Sequence, residues 1–198
     1  MQIYKMEQQS DDWFAIRKGK LTGSHAQAIG NCGRGLDTYI IELMSEYFSS
    51  GEKESYTNAD IERGIELEAT AREIYELDKA CDIEQIGFIE YNDYVGCSPD
   101  GLIGKDGGIE IKALKDTNHF KMILNGEREI DSKYLWQIQM NLFITGRKWW
   151  DYVSYNPNFE KSLLVFRIEP DEKKFKKLEE GIEIGTKKIK QIISNIKK

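Results

Sequence analysis

At 198 residues the chain can bury a sizeable core as one domain spanning 1–198, and 40% hydrophobic content with only three prolines argues against a disordered or low-complexity protein. No apolar run approaches a bilayer-crossing length and no signal-peptide core opens the chain, so a soluble, cytoplasmic protein with no membrane partner is expected. A net charge of −6 argues against nucleic-acid binding through overall basicity, and three scattered cysteines with two histidines argue against a disulfide framework or a thiolate or imidazole metal site.

The first helical pattern carries Trp13, Ile16 and Arg17 and gives way at Gly19. Thr22 to Ser24 then offers an N-cap for a helix starting near His25. Arginine, hydroxyls and free backbone N–H groups at a helix start make a phosphate pocket; an ordinary capped helix with a solvated arginine reads equally well. Residues 36–49 read as an amphipathic helix, and Asn58 as the N-cap of another running to about 78. On that helix Glu62, Glu66, Glu73 and Glu76 share a polar sector, with Ile61, Ile65, Leu67, Ala71, Ile74 and Tyr75 largely opposite. Glu68 falls in the middle of the apolar side, one turn from Arg72. A carboxylate aimed at the core needs a partner: either it pairs with Arg72 or it is a further carboxylate of a metal site.

Residues 86–91 and 94–97 read as short strands leading into Ser98-Pro99-Asp100-Gly101. Gly101 and the run Lys105-Asp106-Gly107-Gly108 read as turn-formers, giving a hairpin with Asp100 at its corner. On the second strand, alternation puts Glu110 and Lys112 on one face and Ile109 and Ile111 on the other. Two carboxylates and a strand carbonyl make a hard oxygen site suited to Mg²⁺, and a lysine beside it can hold or deprotonate a water that attacks phosphorus. The plain alternative is a solvated Glu-x-Lys face with a cross-strand charge pair.

A polar connection is expected after Lys115, then a nearly all-apolar helix over 132–144. Its one polar stripe, Tyr134, Gln137 and Asn141, either faces the metal centre or DNA, or consists of three satisfied core groups. Strands over 148–155 and 162–168 follow, with a lysine-rich helix from about 171 to the end. That last segment holds nine lysines against five acids, so the first 170 residues carry −10. A DNA partner therefore needs a local basic groove. His25 and His119 are expected on the surface or in loops. The order of elements predicts an α/β fold with a mixed central sheet flanked by helices.

These blocks, in this order, resemble the lambda exonuclease (YqaJ-like viral recombinase) branch of the PD-(D/E)xK nucleases, which have the restriction-endonuclease-like fold. The resemblance rests on Trp13-x3-Arg17-x-Gly19-x2-Thr22-x-Ser24, Gly64-x3-Glu68, Ser98-Pro99-Asp100-Gly101-Leu102 with Glu110-Ile111-Lys112, and Tyr134-x2-Gln137-x-Gln139. Tyr155-Asn156-Pro157 and Glu169-x-Asp171-Glu172 also look familial, whereas Gly23 stands where the family usually has alanine. The resemblance implies Mg²⁺, with Mn²⁺ as a substitute, held by Asp100, Glu110 and the Ile111 carbonyl, with Glu68 in the metal shell. It further implies that Lys112 orients or activates the hydrolytic water and that Gln137 and Tyr134 sit beside the scissile region. Arg17, Ser24 and Ser98 would grip a terminal 5′-phosphate. The implied activity is 5′-to-3′ digestion of one strand of linear double-stranded DNA, leaving a 3′ single-stranded tail for a single-strand annealing recombinase. The implied assembly is a homo-oligomer, a ring trimer enclosing the DNA. The alternatives are an endonuclease or nickase of the same superfamily and a non-catalytic DNA-end-binding scaffold.

Overall fold

The computed structural model describes residues 1–50 and 59–196, with backbone alone for 59–62. The expected Asn58 cap and the Ile61 and Glu62 side chains lie outside the described residues. Among the described residues nine strands form two sheets. The smaller has the order β1 (Gln2–Tyr4), β4 (Phe88–Asn92), β5 (Val95–Cys97), β2 (Leu21–Thr22); the larger runs β3 (Ile83–Glu84), β6 (Gly101–Ile103), β7 (Gly107–Ala113), β8 (Trp149–Tyr155), β9 (Leu163–Ile168). The expected mixed sheet is the larger one. β7 and β8 pair in parallel from Gly107↔Trp149 to Ala113↔Tyr155, and its other pairs are antiparallel. A parallel pair requires a long crossover, here supplied by α5 (Asp116–Asn125) and α6 (Ser132–Thr145).

Alternation along β7 and β8 builds two cores. Ile109, Ile111, Val153 and Tyr155 face α4 (Ala59–Lys79), packing with Ala71 and Tyr75. Trp150 and Tyr152 join the larger core with Trp136, Ile138, Met140 and Leu142 of α6. Of the apolar sector expected on α4, Ile65 is exposed. The remaining helices are α1 (Asp11–Arg17), α2 (Ala26–Asn31), α3 (Arg34–Phe48) and α7 (Glu172–Ile196). No described helix is long and apolar enough to cross a membrane.

Five local expectations change. The tip of the β6–β7 hairpin is at 104–106, where Gly104 has φ +52°, so Asp100 sits at the open end and not at the corner. Gly107 and Gly108 are strand residues: the Trp149 and Trp150 rings lie where their side chains would be, an added Cβ falling 2.1 and 2.4 Å from ring carbons. The stretch after Lys115 is helical, not a polar connection. Only His119 and Met122 of α5 are buried, too few to set a period, and Asp116 ties its start to the Asn156 and Asn158 amides at 2.9 Å each. His119 is accordingly buried: Nε2 donates to the Lys161 carbonyl and Nδ1 accepts from the Ser154 hydroxyl, each at 2.8 Å. His25 is exposed, as expected, and stacks on Tyr39. Thr22 and Ser24 make no capping bond: a 3-10 turn, Gly23–His25, precedes α2 instead.

Candidate active site

β6 begins at Gly101, opposite Ile109, so β7 runs on past it. There the Ile111 N–H donates not to a strand carbonyl but to the Asp100 carboxylate, at 2.6 Å. The adjacent side chains, Glu110 and Lys112, project from the face of β7 that meets α6. Glu110 is fully buried; its Oε1 accepts from Lys112 Nζ at 2.6 Å and from Gln137 Nε2 at 2.7 Å, while its Oε2 has no partner. Lys112 Nζ lies 3.8 Å from Asp100 Oδ2 and 5.4 Å from the centre of the Tyr134 ring. Glu68 comes from α4, on the opposite face of the sheet. Burial and the neighbouring Asp100 push its carboxyl up to about 7, against the pull of Lys112 and Arg72. Burial, then Asp100 and Glu68, push Glu110 up to about 8, while the surrounding carboxylates outweigh burial and raise the Lys112 ammonium. The Lys112 ammonium, with Arg72 acting on Glu68, thus meets three carboxylates in a poorly solvated place, and the excess negative charge retains a proton into the neutral range. Among the described residues no three His, Cys, Asp or Glu side chains stand together as ligands of one ion; Lys112 is the cation seated between Glu110 and Asp100.

Arg17, on the last turn of α1, donates to Ser98 Oγ at 2.8 Å and lies 4.1 Å over the Trp13 ring, whose Nε1 also donates to Ser98 Oγ at 3.0 Å. With its oxygen accepting twice, Ser98 keeps its O–H to donate elsewhere. Ser98 is two residues from Asp100, so this cluster shares a segment with the carboxylates. Burial lowers the Arg17 pKa, the guanidinium being partly withdrawn from water. Ser24 does not join it: exposed on the 3-10 turn, it bonds with Thr22 Oγ1 at 3.3 Å and His25 Nδ1 at 3.2 Å. The polar stripe of α6 divides. Tyr134 and Gln137 reach the carboxylate cluster, while Asn141 is buried beside Gly23 with neither amide atom bonded.

A family model for the YqaJ-like viral recombinase domain matches residues 12–148, the stretch that carries every residue of both clusters. The chain belongs to that family. Among solved structures, the alkaline exonuclease LHK-Exo from Laribacter hongkongensis superposes with a TM-score of 0.85 at 29% identity, covering 95% of this chain and 96% of that one. LHK-Exo in complex with dAMP gives the same figures. A phage related exonuclease from Haemophilus somnus 129PT superposes at 0.62 with 15% identity over 89% and 96% of the two chains, a likeness of fold. No curated protein matches. The fold is thus the restriction-endonuclease-like one seen in alkaline exonucleases.

Other residues of the sequence blocks singled out above hold the scaffold. Gln139 donates to the Glu169 carbonyl and accepts from Asp171 N–H, each at 2.8 Å, clamping α6 to the start of α7. Asn156 donates to the Leu114 carbonyl at 2.9 Å, closing the end of β7. Three features escaped the sequence reading. Arg147 donates to the carbonyls of Ile103, Gly104 and Gly107 and fixes the hairpin tip. Buried Asp151 pairs with Arg167 at 2.8 Å and accepts from the Tyr75 hydroxyl at 2.6 Å. Tyr152 stands opposite Glu110 in the β7–β8 register. An arginine or aspartate in an aromatic run was the one available signal for the first two.

Proposed function

We propose that this chain is a Mg²⁺-dependent exonuclease that digests one strand of linear double-stranded DNA from a 5′-phosphorylated end and leaves a 3′ tail. The observation that carries the reading is the Glu110 carboxylate, wholly buried with Oε2 unbonded, among Asp100, Glu68 and Lys112. Such a surplus of oxygen and negative charge calls for a cation beyond the one lysine. Asp100 and Glu110 would hold Mg²⁺ (or Mn²⁺) together with the Ile111 carbonyl, with Glu68 in the metal shell. The N–H and C=O of one strand residue point to the same edge, and the Ile111 N–H already faces Asp100. Bound there, the ion supplies Lewis-acid polarisation of the scissile phosphate.

The chain's own groups do the rest. Lys112, kept protonated by its carboxylate neighbours, acts as a fixed positive charge for the phosphoryl oxygens and a donor that positions water. Gln137 and Tyr134 hold Glu110 and Lys112 from the α6 side. Arg17 and Ser98 take the terminal 5′-phosphate, and a role for Ser24 there would require it to leave its present bonds to Thr22 and His25. Their position, two residues from Asp100, favours an end-dependent enzyme over an endonuclease. Enclosure of DNA by a homo-oligomeric ring, a trimer, would let a chain of net charge −6 stay on its substrate. The tail would pass to a single-strand annealing recombinase in the cytoplasm.

A time course on end-labelled linear duplex, 5′-phosphorylated or 5′-hydroxyl, with Mg²⁺ or EDTA, tests polarity, end chemistry and metal need together. Nucleotide release from the phosphorylated end in Mg²⁺ alone is expected. Rapid cutting of closed circular plasmid would transfer the reading to an endonuclease, and no release at all to an end-binding scaffold.

A further inference from the structure

A cavity of about 210 Å³ opens beside the carboxylate cluster, between the α5–α6 connection and the sheet. Its inner wall is apolar and aromatic, formed by Leu114, Met122 and the rings of Tyr134 and Tyr152, whose centroids are 6.0 Å apart. Tyr152 is fully buried and its hydroxyl has no hydrogen-bond partner. A buried hydroxyl left unbonded costs about 1–3 kcal/mol, and Tyr152 lines this cavity, so a ligand seated there can supply the missing bond. At the rim, Lys121 and Lys133 are balanced by Glu129 and Asp131, beside the Asn118 amide. Balanced charge does not select a phosphate. Mixed donors and acceptors around aromatic rings are what the edge and face of an unpaired nucleobase require. The volume is below the roughly 300–1,000 Å³ usual for larger ligands and suits a single base.

Position says which base. In the sheet order β6-β7-β8, the strand bearing Glu110 and Lys112 lies between the Ser98 to Asp100 segment and Tyr152. If the terminal phosphate lies at Arg17 and Ser98 and the scissile phosphate at Glu110, the strand continues toward Tyr152. We infer that this cavity receives the base of the first nucleotide retained after the cut, the second from the 5′ end, unpaired from its complement and bonded to the Tyr152 hydroxyl. The inference rests on the nuclease reading and adds to it a base-binding subsite on the retained side.

The test is fluorescence anisotropy in EDTA with 5′-phosphorylated duplexes that are intact, abasic at the first nucleotide, or abasic at the second. For the unmodified protein, an abasic second nucleotide should weaken binding about threefold to tenfold, the worth of one net hydrogen bond and its contacts. Tyr152→Phe should weaken the intact duplex by a similar factor and the second-position abasic duplex no further, while still losing affinity when the first nucleotide is abasic. Its thermal midpoint should equal or exceed that of the parent, because the hydroxyl makes no bond within the protein. Multiplying losses, indifference to the second base, absence of DNA binding, or a destabilised Tyr152→Phe protein each overturns the inference. Anisotropy in EDTA reads the cavity whether or not the strand is cut; failure of the nuclease reading shows separately, as no nucleotide release in Mg²⁺.

Discussion

Replacing Glu68 by glutamine removes one negative charge from the cluster and keeps the shape, so it separates repulsion from attraction at that position. Burial and Asp100 carry the Glu68 carboxyl from its ordinary 4.5 to about 7. That is worth about 3 kcal/mol at 1.36 kcal/mol per pH unit, trimmed to about 1–2 kcal/mol because Glu68 keeps some solvent access. The folded protein holds this proton where the unfolded chain has released it, so stability is full below about pH 4.5 and falls as pH rises to about 7. Glutamine cannot ionise and escapes the loss. Urea unfolding in EDTA should therefore give nearly equal midpoints for parent and Glu68→Gln at pH 4.5 or below. At pH 8 the variant should unfold about 0.5–1 M later, for a slope of about 2 kcal/mol/M. The same variant should lose most metal-dependent activity. If it were instead less stable than the parent at pH 8, the carboxylate would be held by attraction to Arg72 and Lys112, and the picture of an overcharged site would be wrong.

Asp100→Ala should cut hydrolysis at least about a thousandfold, since on the proposed reading several kcal/mol of charge stabilisation depends on an ion that Asp100 would help hold; nucleotide release under single-turnover conditions measures it, and intact hydrolysis would displace the site. Arg17→Ala should reduce the preference for 5′-phosphate over 5′-hydroxyl ends about tenfold to a hundredfold, the worth of a hydrogen bond to a charged group. Equal losses on both ends would make Arg17 only a clamp for Ser98 and Trp13. Gly181→Ala should destabilise by about 3 kcal/mol, because the added Cβ falls 1.9 Å from the Ile29 carbonyl oxygen and α7 must lift off α2. Helix propensity returns only about 1 kcal/mol. Gly185→Ala, which meets the movable Leu21 side chain at 2.8 Å, should cost less in the same denaturation series.

What was legible in sequence is what periodicity governs. Glu110 and Lys112 must share a face opposite Ile109 and Ile111, since only a slip of the whole strand could change it, and Glu68 stood out as a lone carboxylate on an apolar helix face. Periodicity gives azimuth but not reach. Asn141 lies on the stripe of Gln137 but about 6 Å further along the axis, away from the carboxylates and against Gly23. Ser24 follows Arg17 closely in the chain, yet the residue bonded to Arg17 is Ser98, brought there by pairing of β4 with β5 that no local pattern announces. Gly107 and Gly108 read as turn residues because glycine serves both turns and close approach, and only the rings of Trp149 and Trp150 reveal which use applies.

The placement of the carboxylates follows from a hydrogen-bond requirement of the sheet itself. β7 outruns β6, and the Ile111 amide at the uncovered edge needs an acceptor in a half-buried setting. A chain entering β6 from that end can supply it only from the residue just before the strand, and there only with a short side chain that accepts. Aspartate at position 100 meets both conditions, and in doing so its carboxylate comes beside the residue whose neighbours, Glu110 and Lys112, turn toward α6. Asparagine there could keep the bond to Ile111 through its amide oxygen but would remove the charge. Asp100→Asn should therefore fold about as well as the parent, with Glu110 releasing its proton at lower pH, and should hydrolyse DNA no better than Asp100→Ala. If Asp100→Asn hydrolysed DNA at near the parent rate, the role of this carboxylate would be confined to closing the strand edge.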